Sequence, residues 1–171
     1  MLTTRTALSR SIAFVITGAL CPPFGNESFD VVWTQHCSMN IVDKDRLYAE
    51  NHRVPRSGGR LALYEFMTGR RVSARFPVPW TTDQALSFLR PPAAVRNPLR
   101  AVGFAELLWE DVTESTLAAL TAPAPPAAVP VASSSLGLHL LPGDARDSKR
   151  RNLVSNLAEE RIALLRGVFE R

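Results

Sequence analysis

Apolar positions in the first third of the chain predict a strand followed by a helix. Residues 29–34 (FDVVWT) form a short apolar run with adjacent β-branched valines, which is typical of a strand buried on both faces. Residues 44–54 then predict a helix with Asp43 or Asn40 as its N-cap. Pro55 ends this helix, because proline lacks the backbone amide and clashes with the preceding turn.

A glycine turn and a second apolar run follow this helix. Ser57-Gly58-Gly59 turns the chain into residues 61–66 (LALYEF), which predict a second strand. A strand, a helix and a strand at this length predict a βαβ unit whose crossover is right-handed.

The rest of the chain predicts further helices and strands around a low-complexity segment. Residues 121–135 (TAPAPPAAVPVASSS) are rich in Pro, Ala and Ser and predict an extended linker or an exposed loop. The other predicted elements are a helix at 92–102, a strand at 105–112, an amphipathic helix at 146–160 and a last strand at 161–170.

The first 26 residues contain no acidic side chain and allow two interpretations. Arg5 and Arg10 precede an apolar run at 12–20, a pattern that is similar to a weak secretory signal or a transit peptide. The alternative interpretation is that Ser11–Ile16 is a strand of the fold.

Composition and charge exclude several classes of function. At 171 residues the chain has the length of one domain, and its net charge is +4 with the 20 Lys and Arg dispersed. A nucleic-acid-binding surface needs a basic stripe with stacking aromatic side chains, so none is predicted. No apolar run approaches the ~18–20 residues that span a membrane, and we expect a cytoplasmic protein. Three His and two Cys show no metal-ligand spacing, so no metal site is predicted.

Four short motifs resemble one family. They are Pro23-Phe24, Ser28-Phe29-Asp30, Arg53-Val54 and Gly58-Gly59-Arg60-Leu61. In this order and spacing they resemble the second half of a class I S-adenosylmethionine-dependent methyltransferase of the type 11 group, around its fourth and fifth strands. The implied fold class is α/β, with a Rossmann-like methyltransferase sheet. Residues 16–24 also match the spacing after the family's third strand, which favours a strand at Ser11–Ile16.

The resemblance covers only strands three to seven of the family sheet. No Gly-x-Gly-x-Gly turn occurs upstream of Phe24, the second strand with its ribose-binding acid is missing, and the adenine-binding acid falls on Gly18. We therefore expect an N-terminally truncated domain at 11–171, preceded by a non-family extension at 1–10. The family strand order 3-2-1-4-5-7-6 would then leave the 29–34 strand with an open edge, with Ser11–Ile16 beside it or loosely attached.

The resemblance also implies a set of site residues. Ala19, Leu20, Thr34 and Gln35 would face the cofactor, S-adenosylmethionine. Gln35, His36, Tyr64 and Trp80 would face the acceptor. Glu65, which ends the same strand as Tyr64, would line the same pocket. His36 either accepts a proton from the acceptor or is a loop or helix-cap histidine, and Trp80 either covers a pocket or only packs.

The sequence thus predicts methyl transfer from S-adenosylmethionine to a small molecule, weak or lost in this chain because the glycine turn is missing. The alternative is a non-catalytic methyltransferase-like module that binds a protein partner. An open apolar edge invites pairing with another chain, as a homodimer or with a different partner.

Overall fold

A computed structural model describes residues 11–71, 73–123 and 146–171. The strands are β1 (Phe29–Gln35), β2 (Pro55–Thr68), β3 (Ala105–Asp111) and β4 (Ile162–Glu170). The helices are α1 (Lys44–Arg53), α2 (Pro92–Ala101), α3 (Thr113–Thr121) and α4 (Arg146–Ala158), with short 3-10 turns at Ser38–Asn40 and Gln84–Leu86.

The described strands form one sheet in the order β1-β2-β4-β3. β1 and β2 are parallel and joined by α1, which confirms the predicted βαβ unit. β4 is antiparallel to both β2 and β3, so β1, β2 and β3 all end at the same edge of the sheet. This order is the 4-5-7-6 order that the resemblance implied, and we call the shared edge the carboxyl edge.

Local sequence signals explain the α1 boundaries and the irregular start of β2. The Asp43 carboxylate caps α1 by accepting from the amide of Arg46, and the helix ends before Pro55. β2 begins at Pro55, earlier than predicted, because Ser57-Gly58-Gly59 forms a bulge within the strand rather than a turn before it. The pairing with β1 jumps across this bulge, and Gly58 has a φ of 73°, which suits glycine.

Two helical layers cover the sheet. α1 and α2 pack on one face, where Leu47 and Leu99 meet the strand residues Leu61, Leu63 and Phe169. We call this the α1/α2 face. α3 and α4 pack on the carboxyl half of the other face, the α3/α4 face, through a second core cluster. This cluster contains Met39, Phe66, Leu157, Ile162 and Leu164, with Leu117 and Leu120 against it.

The prediction that β1 is buried on both faces is wrong. Phe29, Val31 and Trp33, at alternate positions on the α3/α4 face, are 41%, 55% and 70% exposed. They lie on the half of that face that α3 and α4 do not reach, and no other described strand pairs with the outer edge of β1. The apolar run therefore forms an edge strand, with the open edge that the resemblance implied.

The predicted strand at Ser11–Ile16 is also wrong. These residues are irregular, and Phe14 and Ile16 are exposed. A strand is stabilised by hydrogen bonds to a paired neighbour, and within the described segments Ser11–Ile16 has none.

The second half of the chain follows the predicted order of elements. The helix at 92–102, the strand at 105–112, the helix at 146–160 and the last strand at 161–170 are confirmed as α2, β3, α4 and β4. The helix α3 was not predicted, and it takes in the first residue of the predicted linker, Thr121. Residues 124–135 of that linker lie outside the described residues. No helix in the described segments is both long and apolar enough to cross a lipid bilayer.

Candidate functional site at the carboxyl edge

His36 follows β1 directly at the carboxyl edge. Its backbone amide donates to the carbonyl oxygen of Tyr64 at 2.9 Å, and its φ of 50° turns the chain out of the strand. The imidazole stacks on Phe66, with ring centroids 4.7 Å apart, and contacts Tyr64 at 5.0 Å. The structure thus brings together two of the predicted acceptor residues, His36 and Tyr64.

Trp80 reaches the same place from the loop that follows β2. Its ring stacks on Phe66, the ring that also stacks on His36, with centroids 5.0 Å apart. The indole N–H donates to the Ser87 hydroxyl at 3.0 Å, which fixes the ring orientation. We call Tyr64, His36, Phe66 and Trp80 the aromatic row. Trp80 packs as one interpretation predicted, and its ring is only half-buried.

The His36 imidazole is placed as a neutral group. Its Nδ1 is buried and has no hydrogen-bond partner among the described residues. Burial lowers the pKa of His36, because desolvation penalises the charged imidazolium. A neutral imidazole at neutral pH can accept a proton. The 3-10 turn that follows has Cys37 at its N-cap position and no side-chain cap, so His36 is not a capping residue.

Thr34 and Gln35 end β1 and lie on opposite faces of the sheet. Gln35 pairs with Tyr64 and shares the α3/α4 face with it, whereas Thr34 pairs with Leu63 on the α1/α2 face. The Gln35 side chain is exposed and Thr34 is half-buried. Of the two, Gln35 is the one on the side of the aromatic row.

Ala19 and Leu20 lie apart from the aromatic row, along α1. The Leu20 carbonyl accepts from the Arg46 guanidinium at 3.0 Å, and its side chain packs against the core on the α1/α2 face. Ala19 is exposed. The two residues are therefore near the start of α1, on the opposite side of the sheet from the His36 ring.

A buried carboxylate, Glu65, supports the loop that begins at His36. It is 2% exposed and accepts from the backbone amides of Cys37 at 3.1 Å and Ser38 at 3.2 Å. Burial raises the pKa of Glu65. The expectation that Glu65 lines the same pocket as Tyr64 is wrong, because successive strand residues point to opposite faces and Glu65 lies on the α1/α2 face.

Lys44 is a second buried charge at this loop. It is 7% exposed, and its ammonium group donates to the carbonyl oxygens of Ser38 and, at 2.7 Å, Ile41. Burial lowers the pKa of Lys44 to about 8. The sequence carried a signal for both groups: Glu65 interrupts an apolar strand, and Lys44 occupies the first turn of a helix, where the dipole disfavours a cation.

Two further features complete the edge. A cleft of about 420 Å³ lies at the ends of β2 and β3, lined among others by Arg70, Asp111, Thr113 and Glu160, and no predicted site residue lines it. Within the described residues, no group of three or more His, Cys, Asp or Glu side chains could hold a metal ion.

Comparisons with known proteins agree with this architecture. A methyltransferase-domain family model, Methyltransf_11, matches residues 2–63. A sarcosine/dimethylglycine N-methyltransferase from Halorhodospira halochloris is 31% identical over 91 residues, which are 53% of this chain and 33% of that protein. The ubiquinone/menaquinone biosynthesis C-methyltransferase UbiE of Hahella chejuensis is 43% identical over 56 residues, 33% of this chain and 22% of that protein. The chain thus spans a third or less of these curated relatives.

Solved structures share the fold over nearly the whole chain. The geranyl diphosphate C-methyltransferase of Streptomyces coelicolor A3(2), in complex with S-adenosyl-L-homocysteine, has a TM-score of 0.71 at 14% identity, over 99% of this chain and 58% of that one. The [4+2]-cyclase SpnF has a TM-score of 0.62 at 17% identity, over 99% and 59%. At these identities the structural likeness establishes the fold alone. Together with the sequence matches, it shows that the chain is similar to class I S-adenosylmethionine-dependent methyltransferases and shares their fold.

Proposed function

We propose that this chain is part of an enzyme that transfers a methyl group from S-adenosylmethionine to a small-molecule acceptor. The observation that carries the proposal is the position of the His36 imidazole, stacked in the aromatic row directly after a parallel strand. Ligands of open α/β sheets bind outside the carboxyl ends of the strands, which is where His36 lies. The two relatives named above carry the names of small-molecule methyltransferases, which agrees with this acceptor class.

Each predicted site residue has a role in this proposal. S-adenosylmethionine would supply the methyl group on its sulfonium, which is a good leaving group. The chain's own residues would therefore bind and orient the two reactants and take up a proton. Gln35, exposed beside the aromatic row, would hold the amino-acid part of the cofactor or the acceptor. His36 would take the proton that the acceptor loses, and Tyr64 and Trp80 would form the acceptor wall. Thr34, Ala19 and Leu20 would contact the cofactor from the other side of β1.

The described residues fit one wall of a cofactor site. The side-chain amide of Gln35 is exposed and free to meet a ligand. The sequence contains no Gly-x-Gly-x-Gly turn, and Gly18 stands where the family has an acid. Two missing hydrogen bonds to charged groups, at about 1.5–3 kcal/mol each, lower affinity by roughly 10²–10⁴. We therefore expect this chain alone to bind S-adenosylmethionine weakly and to transfer methyl groups slowly.

A nuclear magnetic resonance titration tests this assignment at the weak affinities expected. Addition of S-adenosylmethionine up to millimolar concentration should shift the amide signals of Gln35 and His36. Gln35→Ala should abolish the shifts, whereas Gln84→Ala, the matched change at an exposed glutamine of the second 3-10 turn, should leave them intact. A folded chain whose signals at these positions do not move would refute the cofactor assignment. Micromolar affinity that Gln35→Ala removes would show a working site without the glycine turn, contrary to the weak binding expected.

The exposed face of β1 favours a second candidate function, a non-catalytic module that associates through this strand. We propose a second copy of this chain as the partner. Two β1 strands paired antiparallel about Val32 would place Asp30, the one charged residue of the strand, opposite Thr34 rather than another charge. The same pairing would join the two exposed apolar faces formed by Val31 and Trp33.

Light scattering with size exclusion tests the association. The chain should change from monomer to dimer with rising concentration, and Val31→Pro should keep it monomeric. The His36 amide donates to β2, so the Val32 amide, four positions earlier, also faces β2, whereas the Val31 amide faces the open edge, where proline cannot donate in a new ladder. The control is Leu86→Ser, which changes an exposed apolar residue far from β1 in sequence. A monomer at every concentration would refute this second function.

A cytoplasmic location is also proposed, since Cys21 and Cys37 are free thiols that suit a reducing compartment.

A further inference from the structure

We propose that Glu65 and Lys44 are positioning residues for His36: from opposite sides they hold the loop at residues 36–41 and so fix where the imidazole lies. This inference rests on the proposed role of His36. Neither residue is part of the aromatic row, and both act through the backbone. We call the pair the loop clamp.

The Glu65 half of the loop clamp holds amides. The carboxylate accepts from two successive backbone donors, Cys37 at 3.1 Å and Ser38 at 3.2 Å, at the start of the first 3-10 turn. Hydrogen bonds from backbone amides to an ionised acceptor are among the stronger ones. Because Glu65 lies within the central strand β2, its position is fixed by the sheet.

The Lys44 half of the loop clamp holds carbonyls. Its ammonium group donates to the carbonyl oxygens of Ser38 and Ile41, at the end of the same turn. Ser38 is therefore held on both sides, with its amide on Glu65 and its carbonyl on Lys44. The structure records no direct ion pair between the two side chains, so their opposite charges stabilise each other through the peptide groups between them.

His36 immediately precedes the clamped residues. Its amide is the last that donates to the β2 backbone, and the next two amides donate to Glu65. Its φ of 50° is a conformation that non-glycine residues rarely adopt, so contacts on both sides must maintain it. The loop clamp supplies the contacts on the far side, and the ring is then held against Phe66.

The test compares Glu65→Gln with Glu50→Gln in the full chain. Glu50 is a matched control, since it is 6% exposed and paired with Arg53 at 2.6 Å, but does not touch the loop. The measurements are amide hydrogen exchange and the imidazole signals of His36 in a ¹H–¹⁵N spectrum. Glu65→Gln should speed exchange at Cys37 or Ser38 by about ten- to a hundredfold, as expected when a hydrogen bond to a charged group is lost.

The same variant should shift the His36 imidazole signals, while exchange at the β4 amides stays as in the wild type. Glu50→Gln should leave His36 and both loop amides unchanged. The inference is overturned if Glu65→Gln leaves the loop and His36 unaltered, or if Glu50→Gln alters them equally. Should Glu65→Gln fail to fold, Lys44→Gln carries the same test from the carbonyl side. Neither measurement needs a cofactor, so a chain that shows the loop clamp but does not respond to S-adenosylmethionine would refute only the proposed function.

Discussion

β1 and β2 are neighbouring parallel strands of similar apolar character, yet their burial differs sharply. Leu61 and Leu63 of β2 are 1% and 5% exposed, whereas Val31 and Trp33 of β1 are 55% and 70% exposed. β2 has a strand on each side and helices on both faces, while β1 pairs on one edge and lies mostly beyond α3 and α4. The position of a strand in the sheet therefore determines how deeply its side chains are buried, and their hydrophobicity alone does not.

The candidate site depends on both strands. His36 directly follows the exposed strand β1, but the groups that hold it and the next residues belong to the buried strand β2. They are the Phe66 ring, the Tyr64 carbonyl and the Glu65 carboxylate. A loop that leaves an edge strand is thus fixed by the packed strand beside it. The comparison predicts large effects for changes around β2 and β4 and small ones on β1.

The largest effect is expected at Phe169 in β4. Its side chain is fully buried and contacts the rings of Phe104 at 6.1 Å and Trp109 at 5.9 Å. Phe169→Ala should lower the free energy of unfolding by about 3–5 kcal/mol, because it removes a large apolar side chain and leaves a cavity. Urea denaturation measures this. Phe14→Ala, at a side chain 76% exposed, is the control and should change stability by less than about 0.5 kcal/mol.

A smaller but clear effect is expected at Gly167 in the same strand. A Cβ atom there would lie 2.9 Å from the Phe169 ring and 3.0 Å from Trp109. Gly167→Ala should cost about 1–3 kcal/mol through overpacking. Gly25→Ala, where a Cβ would meet nothing within 4 Å, should be close to neutral. Equal thermal midpoints for the two variants would show that the centre of the sheet is not as tightly packed as described.

A pH-dependent effect is expected from the buried Lys44. Burial lowers its pKa from the ordinary 10.5 to about 8 in the folded chain. Between these values the unfolded chain binds more protons, so this group makes the folded state more stable as pH rises. The free energy of unfolding of the wild type, measured relative to Lys44→Met, should increase from pH 8 to pH 10, by less than about 1.4 kcal/mol per unit. If the difference in the free energy of unfolding between the wild type and Lys44→Met stays constant or falls as pH rises, Lys44 is not a buried cation at neutral pH.

The sequence predicted element types and order well and burial poorly. Local signals sufficed where they acted alone, as with the Asp43 cap, Pro55 and the apolar run of β2. The prediction of Ser11–Ile16 as a strand was wrong, because pairing depends on neighbours that local pattern does not reveal. Helix α3 was missed for a related reason: its sequence TESTLAALT has little apolar periodicity, and it packs through Leu117 and Leu120.

The candidate site was predicted in part. The family resemblance pointed to His36, which directly follows β1, and the structure places it with Tyr64 and Trp80 in the aromatic row. The Glu65 contacts escaped prediction because they join residues 27 and 28 positions apart through backbone amides, which a pattern of side chains does not show. The assignment of site residues to cofactor and acceptor stays a prediction.

The smallest effect on stability is expected at Trp33, in spite of its size. The side chain is 70% exposed on the uncovered part of the α3/α4 face, so Trp33→Ser removes little buried area from an isolated chain. At low protein concentration the free energy of unfolding should change by less than about 0.5 kcal/mol. Trp109→Ser is the matched control: this indole packs on Phe169 at 5.9 Å and lies under the Arg96 guanidinium at 5.7 Å, so its loss should cost several times more. If Trp33→Ser costs more than about 1 kcal/mol, or its cost grows with protein concentration, the face of β1 is covered in solution and the contrast with β2 holds only for the isolated chain.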